Sequence, residues 1–210
     1  MSRFLYSSPV RGGAHPITAA VRGGAAVLRP LHPGEVEPQR AVFDAMSADS
    51  RRARYLTPIS TLTTGMWSAL TAVDGRHHVA WLATVDGRPA GIARYIHVTP
   101  CTAEIAFEVI DEQQGRGLGS VLLDTISTIA AASRIRRLQA SVLAENTASQ
   151  GLLAKIGLQL RGSDGVLEGE SPFHLLERPR VERPAVVRVA FAVREGGGLL
   201  EERSPIRRSA

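Results

Sequence analysis

The stretch Gln114-Gly115-Arg116-Gly117-Leu118-Gly119 is the most chemically informative part of the chain. Glycines let a strand fold tightly into a helix whose first N–H groups lack intrahelical partners. Such an end attracts anions, and pyrophosphate is a common occupant. Spacing separates three nucleotide readings. A phosphate loop of the Gly-Lys-Ser/Thr kind needs a lysine, and the sole lysine is Lys155, so nucleotide hydrolysis is excluded. A dinucleotide fingerprint counted from Gly115 needs glycine where Ser120 stands, and an acid ending the next strand, where Leu138 to Val142 holds none. The third pattern, Gln/Arg-x-x-Gly-x-Gly/Ala, is met by Gln114, Gly117 and Gly119.

Two carboxylates precede this turn. In an extended strand Glu104, Ala106 and Glu108 share one face, which suits a general base and a solvated carboxylate alike. Other candidates are weaker. His77 and His78 point to opposite faces of a strand, against a joint metal site. His97 is a lone strand histidine. Arg51, Arg52 and Arg54 read as a solvated basic surface, and Trp67 and Trp81 as core residues. No Gly-x-Ser-x-Gly elbow occurs. Cys101, the single cysteine, cannot form an internal disulfide or a Cys-rich metal site.

These residues must be held by regular elements. Residues 25–29 read as a short strand ended by Pro30 and Pro33. Pro38 suits the first turn of a helix bearing Ala41, Val42, Ala45 and Met46. Asp49 or Ser50 would cap a second helix, and Leu62, Met66, Trp67 and Leu70 mark a third. From His77 to Val85 the pattern is strand-like, Asp86-Gly87 is a hairpin turn, and Pro89 to Val98 is the partner strand. A strand over Ala103–Ile110 leads through the glycine turn into a helix burying Val121, Leu122, Leu123, Ile126, Ile129 and Ala130. Leu138, Ala140 and Val142 define the next strand. A helix over Thr147–Ile156 stops at Gly157, and weak strands follow near Leu158–Leu160 and Phe173–Glu177. The order predicts an α/β fold of the α+β mixed-sheet kind, mostly antiparallel with one parallel crossover and flanking helices.

The 210 residues suit one domain over residues 25–179, with a flexible arm at 1–24 and a largely disordered tail at 180–210. Within that tail Ala185–Val193 reads as an added strand. The formal charge of +5 is concentrated at the ends: residues 1–24 carry three arginines and no acid, leaving the body nearly neutral. A nucleic-acid partner is therefore not expected. No run approaches the roughly 18 apolar residues of a membrane span, and residues 1–24 lack the apolar core of a secretory signal. The expected compartment is the cytoplasm.

Residues 25–178 resemble the GNAT acyl-CoA N-acetyltransferases. The specific motifs lie in 103–157: the glycine turn, then Val142-Leu143-Ala144-Glu145-Asn146 with Ser149, Leu152, Lys155 and Gly157. Ala103-Glu104-Ile105-Ala106-Phe107-Glu108-Val109, and Val73-Asp74 through Ala93-Arg94-Tyr95, are similar to the catalytic domain of actinobacterial protein-lysine acetyltransferases. The resemblance implies a splayed crossover and acetyl-CoA as acyl donor, with no metal. It also implies that Val109 pairs with the pantetheine arm and can stabilise the oxyanion. Gln114, Gly115 and the N–H groups of Arg116, Gly117, Leu118, Gly119 and Ser120 would hold the pyrophosphate, and Asn146 and Ser149 would face the far end of the cofactor.

An amine attacks only when neutral, and free lysine has a pKa of about 10.4, so a base is needed. Glu104 occupies the position of the family's catalytic glutamate, with Glu108 as runner-up. Many relatives carry a tyrosine that protonates the departing thiolate; here Leu153 stands there, leaving water or Ser149. The expected activity is acetyl transfer to a protein lysine. A small-molecule amine acetyltransferase and a non-catalytic acyl-CoA sensor are the alternatives, with a homodimer as a compatible assembly.

Overall fold

The computed structural model describes residues 16–162 and 164–199. It begins with an antiparallel hairpin, β1 (Ile17–Val21) and β2 (Gly24–Pro30). Ile17, Ala19 and Val21 face the core and the residues between them face solvent. The expected flexible arm is thus corrected from Ile17 onward. Five residues of alternation beside Gly23-Gly24 are too short to stand out in sequence. The rest of that arm, residues 1–15, lies outside the described residues.

Three short helices follow: α1 (Glu37–Asp44), α2 (Ala48–Tyr55) and α3 (Thr64–Thr71). Ser47, not Asp49 or Ser50, caps α2, its hydroxyl accepting from the Ser50 N–H at 3.2 Å. An antiparallel meander comes next, β3 (His78–Val85), β4 (Arg88–Thr99) and β5 (Thr102–Val109). Asp86 and Gly87 both take positive φ, the twist a two-residue hairpin turn requires. Then come α4 (Leu118–Ala132), β6 (Arg137–Leu143), α5 (Thr147–Ala154), β7 (Val166–Pro172) and α6 (Arg183–Leu199).

The seven strands form one sheet in sequence order. Every neighbouring pair is antiparallel except β5–β6, which the α4 crossover makes parallel. The predicted mixed sheet with one parallel crossover is what the chain forms. Helix α4 lies against one face, burying Val121, Leu122, Leu123 and Ile126 completely, while α1 and α2 lie on the other.

Two further expectations are corrected. In place of strands near 158–160 and 173–177 there is one strand, β7; Gly165, Gly169 and Pro172 broke its pattern. Ala185–Val193 is helical, as are residues 194–199, where disorder was expected. Its β-branched valines favour a strand locally, but Val186 and Ala190, four apart, are both buried. Asp124, wholly buried on α4, fastens this segment. It accepts from the backbone N–H groups of Arg180 (2.7 Å) and Val181 (3.2 Å) and from Arg183 Nε and Nη2 at 2.9 and 2.6 Å.

A second buried polar cluster ties α1 to the sheet. Arg94 on β4 donates to Gln39 Oε1 on α1 at 3.0 Å and to Leu70 O at the end of α3 at 3.0 Å. Its Nη1 lies 3.4 Å from His78 Nε2, and its Nη2 lies 3.6 Å from Glu108 Oε1. Burial first, and the Arg94 charge second, push the His78 imidazole down to about 4.

Two stability measurements test these anchors. Asp124→Ala leaves Arg183 without its carboxylate and two backbone donors unpaired, and should cost on the order of 3 kcal/mol in urea denaturation. It should also expose α6 to proteolysis. Because the folded pKa of His78 is depressed, its contribution is present above the unfolded value and is lost as pH falls. Stability should therefore decline between about pH 6.5 and 4, by at most roughly 3 kcal/mol. His78→Gln should flatten that slope; an unchanged slope would assign it elsewhere.

Candidate active site

Strands β5 and β6 pair only where Thr102, Ala103 and Glu104 meet Arg137, Leu138 and Gln139, and then part. The Ile110 N–H bonds Ala90 O at 3.0 Å, toward β4. By strand alternation the peptide groups of Ile105, Phe107 and Val109 point the other way, into the gap. Strand β6 stays paired to β7 along its whole length, from Arg137 to Leu143. The result is a V-shaped cleft of about 800 Å³, with α2 along one rim and α4 and α5 at its head.

Most residues singled out in sequence line this cleft: Glu104, Glu108, Val109, Gln114, Gly115, Gly117, Gly119, Ser120, Asn146 and Ser149. The side chains of Arg116 and Leu118 do not. Leu118 is buried in the core. Arg116 turns back to donate to Arg22 O at 2.8 Å and to Gln113 Oε1 at 2.8 Å, while its own carbonyl accepts from the Arg22 N–H. The β1–β2 turn is thereby fastened to the glycine turn.

The glycines of the turn serve different ends. Gly117 has φ of 91° and caps α4, a conformation in which a side chain is strained. At Gly119 a Cβ would lie 2.9 Å from Leu152 Cδ1, so α4 and α5 approach closely there. The N–H groups of Gly115, Arg116, Gly117, Leu118 and Gly119 find no backbone acceptor among the described residues, whereas that of Ser120 bonds Gly117 O at 3.1 Å. The free run expected over 116–120 is shifted one residue toward the strand. Arg180 places Nη2 within 3.2 Å of a Cβ built on Gly117, so a cation stands beside an exposed N–H cluster. Sequence reading missed it, because Arg180 lies 63 positions beyond Gly117 in an apparently patternless stretch.

Helix α2 is fixed to the same turn. Asp111 accepts from the Ser47 N–H (2.7 Å), the Ser47 hydroxyl (2.8 Å) and the Ser50 hydroxyl (2.9 Å). Burial alone would raise the Asp111 pKa, but these hydrogen bonds outweigh it and hold the carboxyl below the usual range. Gln114 Nε2 donates to Ser50 Oγ at 3.0 Å and to Val109 O at 3.2 Å. With Val109 O so engaged, the Val109 N–H is left facing the gap.

The two glutamates have different surroundings. Glu104 is exposed at the foot of the cleft and makes no ion pair or hydrogen bond among the described residues. Glu108 is buried between Arg94 and Arg54 of α2. Arg54 Nε lies 2.9 Å from Glu108 Oε2, close enough for an ion pair but too bent for a hydrogen bond. Arg54 is therefore not the solvated residue expected: its side chain is only 16% exposed. Arg51 is likewise spent on the carbonyls of Phe43, Asp44 and Ser60. Arg52 alone is well exposed, and it pairs with Glu145 across the cleft mouth.

Asn146 caps α5, its Oδ1 accepting from the Ser149 N–H at 3.0 Å, so it has a structural duty besides facing the cleft. Leu153 is buried and also lines it. Tyr55, which sequence reading passed over, lines the cleft from α2; burial first, and the Glu108 charge second, raise its phenol above the ordinary value. Only the sheet brings α2 and β5 together, so no spacing signal could have found Tyr55.

Residues 44–158 match the Acetyltransferase (GNAT) family. The chain is 31% identical over 147 residues to acetyltransferase Pat of Mycolicibacterium smegmatis, covering 68% of this chain and 44% of that one. It is 28% identical over 152 residues to acetyltransferase PA5475 of Pseudomonas aeruginosa, covering 69% of this chain and 81% of that one. The chain thus spans less than half the length of Pat. Among solved structures, the GNAT domain of S. lividans PAT superposes with a TM-score of 0.69 at 27% identity, covering 79% of this chain and 99% of that one. With the family match over more than half its length, this chain belongs to the GNAT acetyltransferases, enzymes that use acetyl-CoA and an amine-bearing substrate.

Proposed function

We propose that the chain transfers an acetyl group from acetyl-CoA to lysine side chains of proteins, with Glu104 as general base. The observation that carries the choice of base is the contrast between the two glutamates. Glu104 stands free where β5 and β6 separate, while Glu108 is committed to two arginines. A base must be able to accept and release a proton at the reacting amine, and the unengaged carboxylate suits that task. The similarity to Pat and to the S. lividans PAT domain supports the protein-lysine acceptor.

The cleft suits the donor. A pyrophosphate fits the free N–H groups of Gly115 through Gly119, with Arg180 alongside. The pantetheine arm fits against the unpaired edge of β5 as an added strand, meeting the Val109 N–H. Glu104 takes the proton as the lysine nitrogen bonds to the thioester carbon, and the oxyanion is held by a backbone N–H. When the C–S bond breaks, the thiolate takes its proton from water or from Ser149, since Leu153 offers none. Tyr55 is a further hydroxyl in the same cleft.

Thiol release with acetyl-CoA against proteins, peptides and small amines, with mass spectrometry of the products, tests the reading directly. Acetyl-lysine on proteins is the expected product; turnover on a small amine alone would replace the acceptor. Glu104→Gln should lower kcat by roughly 10²- to 10⁴-fold while calorimetric acetyl-CoA affinity stays within about twofold, and a parent-like rate would remove Glu104 from the mechanism. Gly117→Ala adds backbone strain on the order of 1–3 kcal/mol and crowds Arg180. It should weaken acetyl-CoA binding by tenfold or more, without changing the rate at saturation.

A further inference from the structure

Beyond the cleft, on the face of the sheet opposite α4, the register aligns four residues in a row across four strands. Ile96 on β4 pairs with Glu104 on β5, Glu104 with Gln139 on β6, and Gln139 with Glu170 on β7. Paired residues put their side chains on the same face. Helix α2 reaches this face at Glu108, higher on β5, and no described helix lies over the row itself. Ile96 is 42% exposed, and Val98, in the bulge between His97 and Thr99, is 52% exposed. They are two of only three large apolar side chains exposed among the described residues. At the other end Glu168 and Glu170 are exposed. Arg137 is paired with Glu170 at 2.5 Å, and Arg161 stands opposite Glu168 in an antiparallel bridge, so the face holds two arginines. The carboxylates of this face, Glu104, Glu168 and Glu170, therefore outnumber its cations, although the chain as a whole carries a formal +5.

We propose that this open face is the docking surface for the acceptor. It receives an extended, basic segment of a protein, with an aliphatic residue on Ile96 and Val98 and a cation at Glu168 and Glu170. The inference rests on the lysine-acetylating reading and gives it a sequence preference. Strands lie about 4.8 Å apart, so Glu170 is roughly 10 Å from Glu104 and Ile96 roughly 5 Å on the other side. An extended segment rises about 3.3 Å per residue. With its lysine at Glu104, such a segment places an aliphatic residue one or two positions to one side. The cation falls about three positions to the other. A large exposed apolar pair beside a charged rim is the usual make-up of a protein contact, and opposite charge sets its orientation.

The test uses the full chain and peptides with one lysine, carrying arginine or glutamate three positions away on either side, and leucine or serine next to the lysine. The wild-type chain should acetylate the leucine–arginine peptide with the lowest KM. The paired variant Glu168→Lys with Glu170→Lys should raise that KM by about three- to tenfold. Acetyl-CoA affinity and turnover of a small amine should be unchanged, and Ile96→Ser should abolish the leucine preference alone. A wild-type KM indifferent to the flanking charge would overturn the proposal and leave lysine acetylation standing, and so would a variant that slows the small amine equally. Failure to acetylate any peptide lysine, with a small amine turned over, would overturn both together.

Discussion

The parting of β5 and β6 is the constraint on which the rest depends. A peptide group in a sheet needs a partner on each side, and leaving one unpaired away from water is costly. Here β6 stays bonded to β7 on its other edge and parts from β5 together with it, so β5 has no neighbour beyond Glu104. The edge so created is in the middle of the sheet, where it can be satisfied only by water or by a ligand with amide groups of its own. The α4 crossover makes the two strands a parallel pair, and the helix starts at the head of the gap. The same helix start carries the N–H groups that lack backbone acceptors, so the open strand edge and the open helix end meet in one cleft.

The cleft would be a crevice of undefined width without the buried charges around it. Arg94 joins α1, α3, β3 and β5 through Gln39, Leu70, His78 and Glu108. Arg54 extends this network to α2, and Asp111 and Gln114 pin the other end of α2 to the glycine turn. Helix α2 is thus held at both ends by polar contacts, although none of its residues is fully buried. Its eight residues could not persist alone in water. Its position is set by the sheet and the turn, which fixes the rim of the cleft to the floor beneath it.

The legible part of the sequence was local. The glycine turn, the apolar stripe of α4, the Asp86-Gly87 hairpin and the capped helix at Asn146 each carry their signal within a few residues. The sheet core, from β3 to β6, could be read from strand periodicity for the same reason. What escaped reading depended on distant partners. Helix α6 is rich in valine and ends in glycines; it is helical because Asp124, some sixty residues earlier, holds Arg180, Val181 and Arg183. The β1–β2 hairpin is ordered from Ile17 because Arg116 clasps Arg22. Arg54 read as a solvated residue and Arg180 was passed over, since a charge in sequence looks the same whether it meets solvent, a buried carboxylate or a glycine turn.

Glu104 and Glu108 make the same point at the level of chemistry. They are the same residue type, on the same face of the same strand, four positions apart. Period alone gives them equal claim to the proton. What separates them is where α2 ends: it lays Arg54 over Glu108 and stops short of Glu104. Two guanidiniums around one carboxylate bind Glu108 into the packing between sheet and helix. The carboxylate beyond the reach of the helix has no such partner among the described residues and stays open to the cleft. In this fold the division between a carboxylate tied to the helix and one left open to the cleft is made by where a neighbouring helix ends.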